Sequence, residues 1–359
     1  MTKICFLADG QSVHTRRWCN YFTGRGYEVH LISFRNAEIS GTHVHFIDSG
    51  SINVSGNNIK ILLKIPRIRK LIRKIQPDIV HALYATSYGL MGALCGKKPF
   101  VVTALGSDVL ISPFEHPVYK IVLRYIFRKA SWITAMSDNM KDVMMSLKAN
   151  PDKISTVIFG IDPAVFNARG RNVPNDNFTI TSTRNFEPVY NIDIFIKSLA
   201  IVSKRIPKIH VNLIGAGSME SQIKELIRKL ELEPVIEVHG RVSQDRIANL
   251  LRSSHLFVSV SSSDGNNISL NEAMACGCFN VVSDIPANRQ WVADGINGYF
   301  CRSITEQDIA EAIKKAYDTY NEKIAEAGTY NEVIIREKAL WSENMKKVEH
   351  IYDKLLKHE

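Results

Sequence analysis

The sequence predicts an α/β protein made of two doubly wound domains, and three observations lead there. Short apolar runs alternate with helical patterns through the first half. The same alternation resumes in the second half, and a polar stretch at 166–177, FNARGRNVPNDN, separates the two. Strands alternating with amphipathic helices build parallel sheets covered on both faces. A chain of 359 residues is comfortable for two domains of ordinary size. The expected boundaries are 1–168 and 178–338, followed by a terminal helical segment at 339–359.

In the first half, Ile4–Ala8 reads as a strand that ends in the turn Asp9-Gly10-Gln11-Ser12. A helix from about His14 to Arg25 places Trp18 and Phe22 on one face, and Gly26 stops it. Strands follow at 28–34 and 43–47, then a long basic helical pattern. The order continues with strand 78–82, helix 86–96, strand 100–105, helix 117–129, strand 132–137 and helix 139–147. The second half gives strand 178–183, helix 192–205, strand 210–215, helix 219–230, strand 236–240 and helix 244–253. Near the end, Trp341, Met345, Val348, Ile351, Tyr352 and Leu355 fall at helical spacing.

The stretch on which the second half centres is Ser261 to Ser283, SSSDGNNISLNEAMACGCFNVVS, between apolar strands at 255–259 and 279–282. A Gly/Asn-rich turn opens a short helix there. Unpaired first-turn amides and the helix dipole make a seat for an anion, so Gly265, Asn266, Asn267, Ile268, Ser269 and Leu270 are candidate phosphate contacts. Asp264 and Glu272 bracket the turn. With a helix start near Asn267, Glu272 lies roughly 7 Å along the axis. Carboxylates repel phosphate but suit hydroxyls, and a sugar nucleotide carries hydroxyls on both sides of its diphosphate. That pattern places Asp264 on the sugar, the amides on the diphosphate and Glu272 on the ribose.

Charge and cysteine usage narrow the partners. Residues 1–160 carry 21 Lys and Arg against 10 Asp and Glu, while the remainder carries 24 against 26, so the formal +9 belongs to the first half. Within it, Ile59–Ile75, IKILLKIPRIRKLIRKI, surrounds an isoleucine face with Lys60, Lys64, Arg67, Arg69, Lys70, Arg73 and Lys74 and no acids. Pro66 is expected to start a new helix after a break. Two readings stand: isoleucines packed on a sheet in an ordinary surface helix, or a cationic face for an anionic membrane, helped by Lys120, Arg124 and Arg128. Nucleic acid is disfavoured, since no stacking platform or binding motif accompanies the charge. Six scattered cysteines show neither zinc spacing nor a disulfide framework, and no apolar run reaches membrane-span length. A cytoplasmic protein, peripheral at most on the inner membrane face, is the expectation.

The D-x7-E spacing, continued by AMACG and set within SLNEAMACGCFNVVSDIPANRQWVADGINGYF, resembles the E-x7-E signature of retaining family 4 glycosyltransferases, with Asp264 in place of the first glutamate. The resemblance spans almost the whole chain. It implies the GT-B fold: two Rossmann-like domains facing across a cleft, and a C-terminal helix that crosses back to the first. It also implies hexosyl transfer, with retention, from a nucleotide-diphosphate sugar to a saccharide or lipid-linked acceptor in envelope or polysaccharide synthesis. Arg184 matches the family's diphosphate arginine, but the lysine expected six residues later is Tyr190, which offers a hydrogen bond in place of a fixed charge. Gly10 matches a glycine that lets backbone approach the diphosphate, and a tight turn explains it equally. Gly215 shapes the donor pocket, and backbone around Arg241 and Val242 holds the base. TALGSD at 103–108 aligns with T-x-H-G-x-D; Leu105 replaces the histidine, while Asp108 either holds a turn or meets the acceptor. His14 and His81 are further acceptor-side candidates, His81 also reading as a satisfied near-core histidine. Arg184 and Asp264 are the expected catalytic pair. No D-x-D clamp occurs, so no metal or other cofactor is expected. A sugar-nucleotide epimerase and a non-catalytic sugar-nucleotide-binding subunit remain open alternatives, which the departures at Asp264, Tyr190 and Leu105 motivate.

Overall fold

The computed structural model describes residues 1–47, 59–174 and 176–357, with the side chains of Ile59 and Lys60, and Asn175, outside that set. It divides into two compact units, Met1–Ile158 with Met345–Glu359, and Phe159–Asn344.

The first unit is built on a seven-stranded sheet: β1 (Lys3–Leu7), β2 (Glu28–Ser33), β3 (Thr42–Phe46), β4 (Ile79–Leu83), β5 (Phe100–Thr103), β6 (Trp132–Ala135) and β7 (Ile154–Thr156). The order is β3-β2-β1-β4-β5-β6-β7, parallel throughout. Continuous apolar strands such as Ile4–Leu7 are buried on both faces, as helices on each side require. β7 is three residues long and too short for the sequence pattern to reveal. The basic stretch folds as a 3-10 segment, Ile59–Lys64, and a helix, Ile65–Ile75, with Pro66 in its first turn. Proline is tolerated there because the missing N–H has no partner in that turn. Ile65, Ile68, Ile72 and Ile75 are buried, so the apolar face packs inward.

Helix Trp341–Lys357 buries Met345, Val348, Ile351 and Tyr352, four of the six positions its spacing picked out, while Trp341 and Leu355 are half-buried. Tyr352 stacks on Phe22 at 5.2 Å between centroids, and Glu349 accepts from Arg25 Nε at 2.9 Å. His81 joins this core and corrects the acceptor-side expectation. It is fully buried, with Nδ1 2.5 Å from Tyr352 Oη and Nε2 2.7 Å from Thr103 Oγ1. Both ring nitrogens are thereby satisfied inside the protein.

The second unit carries β8 (Phe178–Ser182), β9 (Ile209–Ile214), β10 (Ile236–Gly240), β11 (Leu256–Ser259), β12 (Phe279–Ser283) and β13 (Gly298–Cys301), in the parallel order β10-β9-β8-β11-β12-β13. A 33-residue helix, Glu306–Lys338, lies beyond what the sequence reading assigned. Thr305 caps it, and Ile309, Ile313, Ala316 and Tyr320 make its buried stripe. The stretch 166–177, expected to link the domains, belongs to the second unit in its described residues. Arg171 is the cause: its guanidinium donates to the Ser254 and Cys276 carbonyls at 2.8 and 3.2 Å and to Tyr320 Oη at 3.1 Å.

Candidate active site

In the second sheet the chain runs outward from β8 through β9 to β10, then crosses back to place β11 on the other side of β8. Loops at the carboxyl ends of such strands diverge, which is where open α/β sheets hold ligands. Arg184 follows β8, and the turn 260–267 follows β11. The fold brings them together. Arg184 is 7% exposed; its Nη2 donates to Asp264 Oδ2 at 2.6 Å and its Nη1 to Asn267 Oδ1 at 2.9 Å. The guanidinium carbon lies 4.2 Å from the centre of the Tyr190 ring, within cation–π range. Tyr190 therefore holds the arginine by its ring face, a contact the sequence did not suggest.

Glycines make this approach feasible. At Gly215, φ is +156°, and a Cβ would stand 2.3 Å from the Arg184 carbonyl oxygen; at Gly217 it would stand 2.4 Å from that of Phe186. The end of β9 thus lies directly against the 184–187 loop, consistent with Gly215 shaping the site. Gly215 N also donates to Gly240 O, tying the ends of β9 and β10 together just before Arg241, which is exposed, and Val242, which is half-buried.

The helix start differs from expectation. Asn267 is fully buried and caps helix Ile268–Ala275, its Oδ1 accepting from Leu270 N at 3.1 Å. The Ile268 amide donates to Asn266 O. Of the amides at 267–270, those of Asn267 and Ser269 keep no acceptor among the described residues. Leu270, buried and capped, drops out as a phosphate contact. An asparagine directly before a helix is a favoured N-cap, so the signal was present in the sequence. Asn266 is likewise structural through its side chain: Oδ1 accepts from Trp291 Nε1 at 2.8 Å and Nδ2 donates to Asn271 Oδ1 at 3.1 Å. Asn288, which bonds Asn267 Nδ2 at 3.0 Å and the Ser283 carbonyl at 2.9 Å, supports the same turn and was not foreseen. Gly265 is buried, and Ser269 Oγ donates to the Thr183 carbonyl at 3.2 Å. Glu272 is half-buried on the same helix.

Three successive residues at the end of β8 hold buried polar atoms without a hydrogen-bond partner among the described residues: Ser182 Oγ, Thr183 Oγ1 and Arg184 Nε. Such atoms are uncommon in folded proteins, and three in a row at the end of a strand call for an explanation. Burial lifts the Asp264 carboxyl above the ordinary range, against the pull of Arg184 and the Asn266 and Gly265 amides. Paired with it, Arg184 still keeps its Nε–H without an acceptor among the described residues.

The remaining candidates lie in the first unit. Gly10 is a packing residue: its amide donates to Ser33 Oγ at 2.9 Å, and a Cβ would stand 2.8 Å from Ala37 Cβ. That amide is already engaged, which corrects the diphosphate role. Of the two readings of Asp108, the structure supports the turn and not the acceptor contact. Fully buried, it accepts from the amides of Ala85, Leu105 and Gly106 at 2.6, 3.1 and 2.8 Å and so holds the turn after β5. His14 is half-buried at the start of its helix, and burial, reinforced by Arg17, lowers its pKa to about 4.

Fold and chain patterns together define a glycosyltransferase of GT-B architecture. A glycosyl transferase 4-like family model matches residues 3–137, and a glycosyl transferases group 1 model matches residues 166–332. The chain belongs to the family 4-type group 1 glycosyltransferases. The N-acetyl-alpha-D-glucosaminyl L-malate synthase of Bacillus anthracis is 24% identical over 77% of this chain and 76% of its own. Among solved structures, sucrose-phosphate synthase from Thermosynechococcus elongatus superposes with a TM-score of 0.85 at 15% identity, covering 100% of both chains. HepE from Anabaena, solved with UDP and glucose, gives 0.81 at 17% identity, covering 99% of this chain and 100% of its own. These two share the fold.

Proposed function

We propose that this enzyme moves a sugar, with retention of anomeric configuration, from a nucleotide-diphosphate donor seated at the carboxyl end of β8. The observation that carries this reading is the buried Arg184 guanidinium beside the start of helix Ile268–Ala275, where its own Nε and the hydroxyls of Ser182 and Thr183 lack partners among the described residues. The HepE structures, which hold UDP and glucose, support the donor class. In this reading Arg184 and the Asn267 and Ser269 amides receive the diphosphate charge as it develops. Asp264 orients Arg184 and faces the sugar, Glu272 binds the ribose, and backbone at Arg241 and Val242 holds the base. The departing phosphate oxygen takes the acceptor proton. Charge neutralisation by side chain and amides makes a divalent ion unnecessary.

Glu272→Ala is expected to weaken nucleoside diphosphate binding about tenfold in calorimetry, and NMR of the product is expected to show the donor's anomer kept. Unchanged affinity in the variant, or an inverted product, would sink the reading.

The acceptor we infer to be a saccharide or lipid-linked saccharide at the cytoplasmic face of the membrane. The basis is a set of exposed apolar and cationic side chains carried by two segments of the first unit. Leu63 and Ile121 are 77% and 67% exposed, and Leu62, Phe114 and Val118 are exposed as well. Arg67, Lys70, Arg73 and Lys74 share helix Ile65–Ile75, and Lys120, Arg124 and Arg128 share helix Pro117–Lys129. Arg69 is excepted, since it donates to the Leu94 carbonyl. Each cation near an anionic surface contributes about 1 kcal/mol. No helix of the described residues is long and apolar enough to cross a membrane. Co-sedimentation with anionic but not neutral vesicles is expected, reduced at least tenfold in Leu63→Ser/Ile121→Ser; equal binding to both vesicle types argues against the assignment.

A further inference from the structure

A second group of ligating side chains lies at the edge of the first sheet, apart from the site after β8. Glu28 and His30 stand two residues apart on β2 and therefore share a face; His43 and His45 do the same on the edge strand β3. Parallel register sets His30 opposite His43. The imidazoles stack, with His30 and His43 centroids 4.8 Å apart at 25° and His30 and His45 centroids 5.2 Å apart at 14°. His30 Nε2 is 2.9 Å from Glu28 Oε1, and His30 Nδ1 is 2.9 Å from His45 Nε2. One ligating atom from each of Glu28, His30 and His43 falls within 4.8 Å of the other two.

We propose that Glu28, His30 and His43 form a binding site for a divalent transition-metal ion of the zinc class, clipping β3 to β2. Two imidazole nitrogens and a carboxylate oxygen suit zinc, which takes such ligands at about 2.0–2.2 Å and keeps a fourth position for water in three-ligand sites. At those bond lengths tetrahedral ligand atoms stand about 3.3 Å apart. Side-chain rotation has to open the 2.9 Å Glu28–His30 pair slightly and bring His43 to the same distance, while the sheet register already supplies the backbone placement. His45 bonds the nitrogen of His30 that faces away from Glu28 and so fixes the ring, the usual office of an outer partner at a metal-bound histidine.

Two cations oppose the ion. Lys3 Nζ lies 3.1 Å from Glu28 Oε1 and also donates to the Ile75 carbonyl at 3.1 Å, so it keeps a partner when a metal takes the carboxylate. Lys74 adds positive field at His45. Both set the affinity below that of an enclosed four-ligand site.

The test uses the full chain stripped with a chelator and dialysed, titrated with zinc chloride in a calorimeter and with cobalt(II) in the visible. The expected result is one ion per chain, a rise in melting temperature on zinc addition, and d–d absorption with cobalt. His43→Ala and Glu28→Gln, both at positions with solvent access, are expected to weaken binding at least tenfold and to remove the thermal rise. Absence of binding, or binding that both variants leave unchanged, would overturn the proposal.

Discussion

Replacing Arg184 by alanine is expected to lower kcat by about 10²–10³-fold, the scale on which loss of one preorganised donor to a developing anion operates. The guanidinium is held from three sides, by Asp264, Asn267 and the Tyr190 ring, so it needs little reorganisation when the leaving group departs. KM for the donor is expected to change less, because the charge it answers grows during reaction. Arg184→Lys keeps a positive charge but loses the planar fork and the stacking, and is expected to recover only part of the rate. Removing the arginine also strands the half-buried Asp264, a loss below the roughly 3–5 kcal/mol of a fully buried broken pair. Arg184→Ala/Asp264→Ala is therefore the informative companion, with melting temperature restored and turnover still lowered to the same degree. A variant that folds and turns over within threefold of the parent removes Arg184 from the chemistry.

Acid is expected to destabilise the first unit through His81, which burial holds neutral by lowering its pKa to about 3. Between that value and the ordinary 6.5, the unfolded chain binds a proton that the folded chain does not. Stability is then complete above pH 6.5 and falls as pH drops, by about 1.4 kcal/mol per unit. By pH 5 this one group costs about 2 kcal/mol, and on the order of 4–5 kcal/mol is lost by pH 3. His14, lowered to about 4, acts with the same sign over a narrower window. Urea midpoints measured from pH 7 to pH 5 test this. His81→Gln, which keeps hydrogen-bonding capacity without titrating, is expected to flatten the slope by about one proton. An unchanged slope would assign the acid sensitivity elsewhere.

Much of the fold was legible because buried parallel strands and their covering helices write different periods into the chain. Ile4–Leu7 and Ile65–Ile75 are clear cases, and Pro66 marked its own break. The helix Glu306–Lys338 was legible in principle, through Ile309, Ile313, Ala316 and Tyr320, but its dense charge hides the stripe. At the site, the turn after β11 was recognisable from residue type and spacing, and Arg184 from the family resemblance. Their pairing was not: Arg184 and Asp264 stand 80 residues apart, and only the strand order brings them within bonding distance. Nor does a sequence say which amide a nearby side chain will occupy, hence the capped Leu270 and the engaged Gly10. Buried asparagines such as Asn288 escape notice for a related reason, since each reads alone as a surface turn residue.

Tyr352 and its partner His81 are 271 residues apart, although both belong to the first unit. A ribosome makes the chain from its N-terminus, so the hollow among Phe22, His81 and Thr103 is complete in sequence long before the tyrosine that fills it. At ~5–20 residues per second, roughly 10–40 s pass while the whole second unit is translated. The unit whose strands are made first thus waits longest for its last core residue.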